Sequence, residues 1–299
     1  MAVVNNCIKY FDNQISGKNF PISPDSMKII FFLAVSAVFL ACNKQNADFI
    51  INPLDGLTKM EEGYAIGASA KVEIWGERNF YVGYNKLAVV ILDSLNLTDT
   101  ITDAHIHFMP IMTMRMGDMD MQQATPFENP PEVAINGAFP GAVAFVMPSD
   151  SVDVWQLGVA VHNHKYGLEG EAVFDINVEK PVKSLLSVFP PLTSGNNILA
   201  ITMIQPASLK VGVNEMEFVI FREVSMMEWQ PDGSYVIEIT PEMAGMGPGS
   251  TVKANPVNAN TGHYRGKVNF SMSGQYKLNV VVKKSGVAVS QNLVFTITF

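Results

Sequence analysis

Gly137-Ala138-Phe139-Pro140-Gly141-Ala142-Val143-Ala144-Phe145-Val146-Met147 returns, in pattern, as Gly262-His263-Tyr264-Arg265-Gly266-Lys267-Val268-Asn269-Phe270-Ser271-Met272. Three further blocks return in the same order. Phe80-Tyr81-Val82-Gly83-Tyr84-Asn85-Lys86-Leu87 matches Leu209-Lys210-Val211-Gly212-Val213-Asn214-Glu215-Met216. Ile106-His107-Phe108-Met109-Pro110-Ile111-Met112 matches Ile237-Glu238-Ile239-Thr240-Pro241-Glu242-Met243, and Trp155-Gln156-Leu157-Gly158-Val159 matches Tyr276-Lys277-Leu278-Asn279-Val280. Repetition at this spacing describes two copies of one architecture. The offset drifts between blocks, where loops tolerate insertions.

The blocks read as strands. Leu87–Leu92 and Val143–Met147 are short apolar runs, and Trp155–Val161 alternates large apolar with small or polar side chains. Val173–Val178 and Leu293–Phe299 close the two copies. No convincing amphipathic helix follows Cys42. Many short strands between turn signals predict an all-β fold of two tandem β-sandwiches. The first is expected over 50–183 and the second over 184–299, with the joint in the Pro- and Gly-punctuated stretch 185–197. Each sandwich is expected to be stable through its own core, so a chain beginning at Lys183 or Ser184 should fold alone.

The N-terminus reads as an export signal. Met27-Lys28 precedes a thirteen-residue apolar run, Ile29 to Ala41, and then Cys42. The run is short of the ~20 residues a spanning helix needs. It fits a signal peptide, and Phe39-Leu40-Ala41-Cys42 resembles a loose lipobox, with Phe39 where Leu is usual. Cys42 is therefore the expected lipidation site, residues 1–41 are an upstream extension plus signal peptide, and 42–49 form a tether. The alternatives are a plain secretory signal or an uncleaved anchor. Met27 reads as the true start. Cys42 is then the only cysteine, which leaves no internal disulfide and no cysteine-based site. The expected location is the cell envelope, facing the periplasm or exterior. The net charge of -8 and the lack of a basic run argue against nucleic acid as a partner.

The order of a Gly-x-Asn entrance, a Pro-x-Met segment, Gly-x-Tyr/Phe-x-Gly leading to Phe-x-Met, and an aromatic-led strand resembles the YtkA-like family, related to FixH. Pro110 to Met116 and His263 to Met272 carry most of the match. The resemblance implies small extracytoplasmic immunoglobulin-like modules, in two tandem copies over roughly residues 50 to 299. Members often occur among copper and respiratory-oxidase genes, which suggests metal handling. The resemblance brings no catalytic residues.

Residues 105–121 hold six methionines and two histidines. Thioether and imidazole together suit copper, above all Cu(I). His105, His107 and Met109 alternate along one strand face, while Ala104, Ile106 and Phe108 point to the core. Pro110 is expected to lead out of the strand into a methionine loop. The candidate ligands are His105, His107, Met109, Met112, Met114 and Met116. The bland reading is two surface histidines beside methionines that fill a gap between sheets. A third is an adaptable methionine-rich contact surface for a partner. The second copy replaces His105 by Val236 and His107 by Glu238, and keeps only Met243 and Met246, so the first copy is the better site. His162 faces outward at a strand end, and its His-x-His spacing to His164 lets both rings meet one ion if the strand continues, although such a pair is more often a solvated loop; His263 reads as a surface histidine.

Enzyme readings lack parts: there is no Gly-x-Ser-x-Gly elbow, phosphate-binding glycine loop or His-Glu-x-x-His. Asp118 and Asp120 among methionines would make a poor calcium site. The sequence thus points to a lipid-anchored, non-enzymatic copper chaperone, buffer or sensor with a copper-handling protein partner. The alternative is a metal-free interaction module.

Overall fold

Why the paired motifs recur becomes plain from the backbone they build. The structure, a computed structural model, describes residues 52–192, 197–204, 206, 208–243, 250–259 and 261–299. Cys42, the apolar run before it and Met246 lie outside the described residues. The described residues form strands without a helix. The first set is β1 (Thr58–Ala65), β2 (Ala70–Gly76), β3 (Gly83–Asp93), β4 (Asn96–Ile101), β5 (Ala104–Met116), β6 (Met119–Ala124), β7 (Phe127–Glu128), β8 (Phe139–Phe145), β9 (Val154–Asn163) and β10 (Leu168–Ile176). The second is β11 (Leu186–Phe189), β12 (Leu199–Ile204), β13 (Gly212–Ser225), β14 (Glu228–Pro231), β15 (Val236–Met243), β16 (Ser250–Asn258), β17 (His263–Phe270), β18 (Gln275–Lys284), β19 (Val287–Ala288) and β20 (Leu293–Thr298).

In the first sandwich a sheet ordered β1-β2-β3-β8-β7, with β4 added to β3, faces a sheet ordered β10-β9-β5-β6. In the second, β11-β12-β13-β17-β16, with β14 added to β13, faces β15 and β20 on either side of β18. The orders β2-β3-β8-β7 and β10-β9-β5 are those of an immunoglobulin-like sandwich. Leu186–Phe189, inside the stretch expected to be the joint, is a strand that pairs with β12.

The repeat is a repeat of register. Gly83 stands opposite Phe145, and its counterpart Gly212 stands opposite Phe270. Ile106 faces Val161 and Met112 faces Trp155; Ile237 faces Val282 and Met243 faces Tyr276. All four sequence blocks therefore land on equivalent ladder positions.

Two motifs set that register. Asn85 donates through Nδ2 to the carbonyls of Tyr81 and Gly83, both at 2.8 Å, and accepts the Tyr81 N–H at 3.1 Å. Asn214 makes the same three bonds to Lys210 and Gly212. The bonds require the chain to fold back at the intervening glycine, whose φ is +130° at Gly83 and +102° at Gly212. At the other end, Trp155 Nε1 donates to the Met147 carbonyl at 3.0 Å, and the Tyr276 hydroxyl donates to the Met272 carbonyl at 3.0 Å. This is the tyrosine corner of immunoglobulin-like folds, made by tryptophan in the first copy. It explains why Phe-x-Met precedes an aromatic-led strand in both.

Phe108, Phe139, Phe145 and Trp155 centre the first core, and Phe218, Tyr264, Phe270, Tyr276 and Phe295 the second. The cores are not independent, contrary to the expectation from sequence. Ala200, Val219, Phe221 and Trp229 of the second sandwich pack into the cluster of the first. Trp229 Nε1 donates to the Ala124 carbonyl at 3.1 Å, and the Ala124 N–H donates to the Met226 carbonyl at 2.8 Å. A second sandwich cut free at Ser184 would expose this apolar face. Elsewhere, Leu54 and Leu57 cover Trp75, Ala88 and Val90 on the outside of the β3 sheet.

Removing the asparagine side chain strands buried backbone groups, a cost of about 1–3 kcal/mol. Asn85→Ala and Asn214→Ala should each lower the denaturant-unfolding free energy by that amount. A change within about 0.5 kcal/mol, as at ordinary surface positions, would contradict the clamp.

Candidate functional site

The segment expected to loop out after Pro110 stays in the strand: β5 runs unbroken to Met116. Proline is tolerated because its nitrogen faces the β6 side, where pairing begins only at Ile111. The Pro110 carbonyl on that side accepts the Thr125 N–H at 3.4 Å. Period-two alternation therefore continues and divides the six candidate ligands. His105, His107 and Met109 share the outward face. Met112 is 1% exposed in the core, opposite Trp155, and Met114 packs against that core. Drawing Met112 out would forfeit about 1.5–3 kcal/mol of apolar burial. Met112 and Met114 therefore do not converge with the histidines, and the loop reading is corrected. The second copy agrees: Met243 occupies the Met112 position and packs against its own core. Met116 ends β5.

The outward face gathers other donors. The β5–β9 register sets His162 directly opposite His105, and β10 sets Glu169 beside His162. His164 follows, its ring centroid 4.9 Å from that of His162. Ala160 and Gly158 lie opposite His107 and Met109 and keep the floor low. A Cβ on Gly158 would meet the Met109 methyl at 3.2 Å and Glu171 Oε1 at 2.7 Å, so both side chains bend over it. Two rings are tethered through Nδ1, His105 to Glu132 at 3.3 Å and His164 to Asp103 at 2.7 Å, while His162 Nδ1 lies 3.7 Å from Glu169, too far for a hydrogen bond. His107 accepts from Asn129 Nδ2 at 2.8 Å and stands edge-on to Phe127. Among the described residues no three His, Cys, Asp or Glu side chains already close around one point.

In the second copy the ladder positions of His105, His107, His162 and His164 hold Val236, Glu238, Lys283 and Ser285. Glu238 and Lys283 make an ion pair of 2.7 Å there. The buried methionine is common to both copies, whereas the histidines belong to the first alone. Sequence reasoning gave His162 and His164 little weight because only the strand register brings them to His105.

The fold defines a tandem of immunoglobulin-like sandwiches. Residues 193–281, within the second sandwich, match the family described as YtkA-like, and the first sandwich repeats the topology and register of the second. No curated protein matches the chain. Among solved structures, InvD of Yersinia pseudotuberculosis aligns at 15% identity and a TM-score of 0.23, over 74% of this chain and 54% of that one. The chain thus spans about half the length of InvD. The D00-D0 domain of intimin aligns at 9% identity and a TM-score of 0.23, over 76% of this chain and 98% of that one. At such TM-scores neither alignment bears on function.

The fifth histidine is not the surface residue expected. His263 bridges the sandwiches, with Nε2 2.7 Å from Glu128 of the first and Nδ1 3.0 Å from Glu217 of the second. Tyr84 donates to the other Glu128 oxygen at 2.7 Å, and Arg265 donates to Glu217 at 3.0 Å. Hydrogen bonds to Glu128 and then Glu217 raise the His263 pKa from 6.5 to about 9, against the opposing effect of burial. The His263 bond, with help from Arg265, holds Glu217 below its usual range. Because the folded pKa of His263 is raised, its stabilisation is full below pH 6.5 and is lost as pH rises through about 9. His263→Gln should lower the melting temperature at pH 7, and the gap from wild type should shrink at pH 10. An equal gap at both pH values would rule out the charged bridge.

Proposed function

We propose that the chain is an extracytoplasmic, lipid-anchored, non-enzymatic protein that handles copper on the outward face of its first sandwich, as a chaperone, buffer or sensor. The observation that carries the reading is the single open face shared by His105, His107 and Met109. One thioether and two imidazoles make a donor set suited to Cu(I), with exchange toward a copper-handling partner helped by exposure. Met112 and Met114 serve the core and are left out of the set.

The test is a competition titration against a Cu(I) chelator. His107→Gln/Met109→Leu should weaken Cu(I) binding at least about tenfold, the scale that loss even of a ligand's outer-shell partner costs, whereas Met112→Leu should leave it unchanged. Equal affinity in all three proteins would favour the metal-free interaction module, for which Val154 and Val173, half exposed on the same face, offer apolar contact. The anchor is tested separately. Intact mass of the membrane-fraction protein should correspond to a chain beginning at a lipidated Cys42, and a free or absent Cys42 would remove the anchor from the reading. Two or more acyl chains there suffice for stable attachment.

A further inference from the structure

The end of the β5–β9 pair holds two imidazoles that the copper reading does not use. His162 and His164 stand on either side of Asn163, and His105 faces His162 across the ladder. Asn163 is fully buried and fixes the backbone between the two rings. Its Nδ2 donates to the Ala68 carbonyl at 2.9 Å, and its Oδ1 accepts the Lys165 N–H at 3.1 Å. Its own carbonyl accepts the Gly167 N–H at 2.8 Å. The rings are thus presented from a strand end that is pinned, and only their side-chain torsions remain free.

The three rings share a pattern of partners rather than a plane, His162 and His164 standing at 88° to one another. Each turns Nδ1 to a different carboxylate, Glu132, Glu169 or Asp103. Their Nε2 atoms have no hydrogen-bond partner among the described residues. A carboxylate on Nδ1 favours the tautomer whose lone pair sits on Nε2, which is how ligating histidines are commonly held from behind. The second sandwich repeats the backbone and places Val236, Lys283 and Ser285 at these positions, so the fold itself does not call for the imidazoles.

We infer that this strand end is a binding site for a borderline divalent cation, Zn2+ or Cu2+, held by Nε2 of His105, His162 and His164, with the fourth position left to water. Imidazole suits both ions, and three nitrogens with one further position is a common zinc arrangement. Directly opposed strand residues have Cβ atoms about 4.5–5.5 Å apart. Among the described residues no three such donors already close around one point, so binding requires the rings to turn about χ1 and χ2 until the Nε2 atoms reach bonds of about 2.0–2.1 Å. No thioether takes part, and His107 and Met109 are not required.

The experiment is isothermal titration of the full chain with zinc chloride, with a thermal melt to verify that each variant is folded. Wild type should bind one Zn2+. His162→Gln/His164→Gln, at solvent-facing positions, should remain folded and bind at least about tenfold more weakly. His107→Gln/Met109→Leu should bind Zn2+ as wild type does, even though the copper reading expects it to lose Cu(I). Absence of Zn2+ binding by wild type, or wild-type affinity in the His162/His164 variant, would overturn the inference. Loss of Zn2+ binding in the His107/Met109 variant would overturn it too, since the ion would then sit farther along β5. None of these results depends on whether Cu(I) binds.

Discussion

Which side chains of the methionine-rich segment are buried and which face out depends on the register of β5 against β9. A strand sends successive side chains to opposite faces, so a one-residue slip would exchange the buried and exposed sets. The pairing of Met112 with Trp155 locks the register by burying both. With that pair fixed, Ile106 and Phe108 must enter the core, and His105, His107 and Met109 must face out. The same lock sets His162 opposite His105. The methionine-rich segment is thus divided by face: Met112 and Met114 fill the sandwich on one side, and His105, His107 and Met109 lie on the other.

Much of the fold was legible in the sequence because its motifs are backbone devices. Gly-x-Asn marks a side chain that bonds three backbone groups beside a glycine of positive φ. Phe-x-Met before Trp155 or Tyr276 marks a corner whose acceptor is the methionine carbonyl. Both leave traces that survive when other residues change, and so the repeat could be aligned block by block. The site was less legible. Pro110 reads as a strand breaker, yet its missing N–H falls on the β6 side, one residue before that pairing begins. Alternation through Ala104, Ile106, Phe108, Pro110, Met112 and Met114 was present in the sequence, and it outweighs the proline. Alternation from Trp155 turns His162 outward, but the sequence does not bring it to His105 or give His164 and His263 their partners, which lie on other strands and, for His263, partly on the other sandwich.

The junction of the sandwiches decides which surface remains open. Phe221, Val219 and Trp229 join the apolar cluster of the first sandwich, and Glu128, His263 and Glu217 add a charged bridge. Leu54 and Leu57 cover another part of the β3 sheet. The outer face of the β5–β9–β10 sheet carries exposed His105, His107, Gln156 and Glu171, along with the histidines absent from the second copy. The side chains on that face are aimed by the sheet rather than by a loop.

The division of donors by face is the central claim, and methyl NMR of methionine reads it directly. In protein carrying 13C-methyl methionine, stepwise addition of Cu(I) should shift or broaden the Met109 resonance and leave Met112 and Met114 where they are. Perturbation of Met112 and Met114 with Met109 unmoved would mean that the buried face opens to the metal, and would contradict the account.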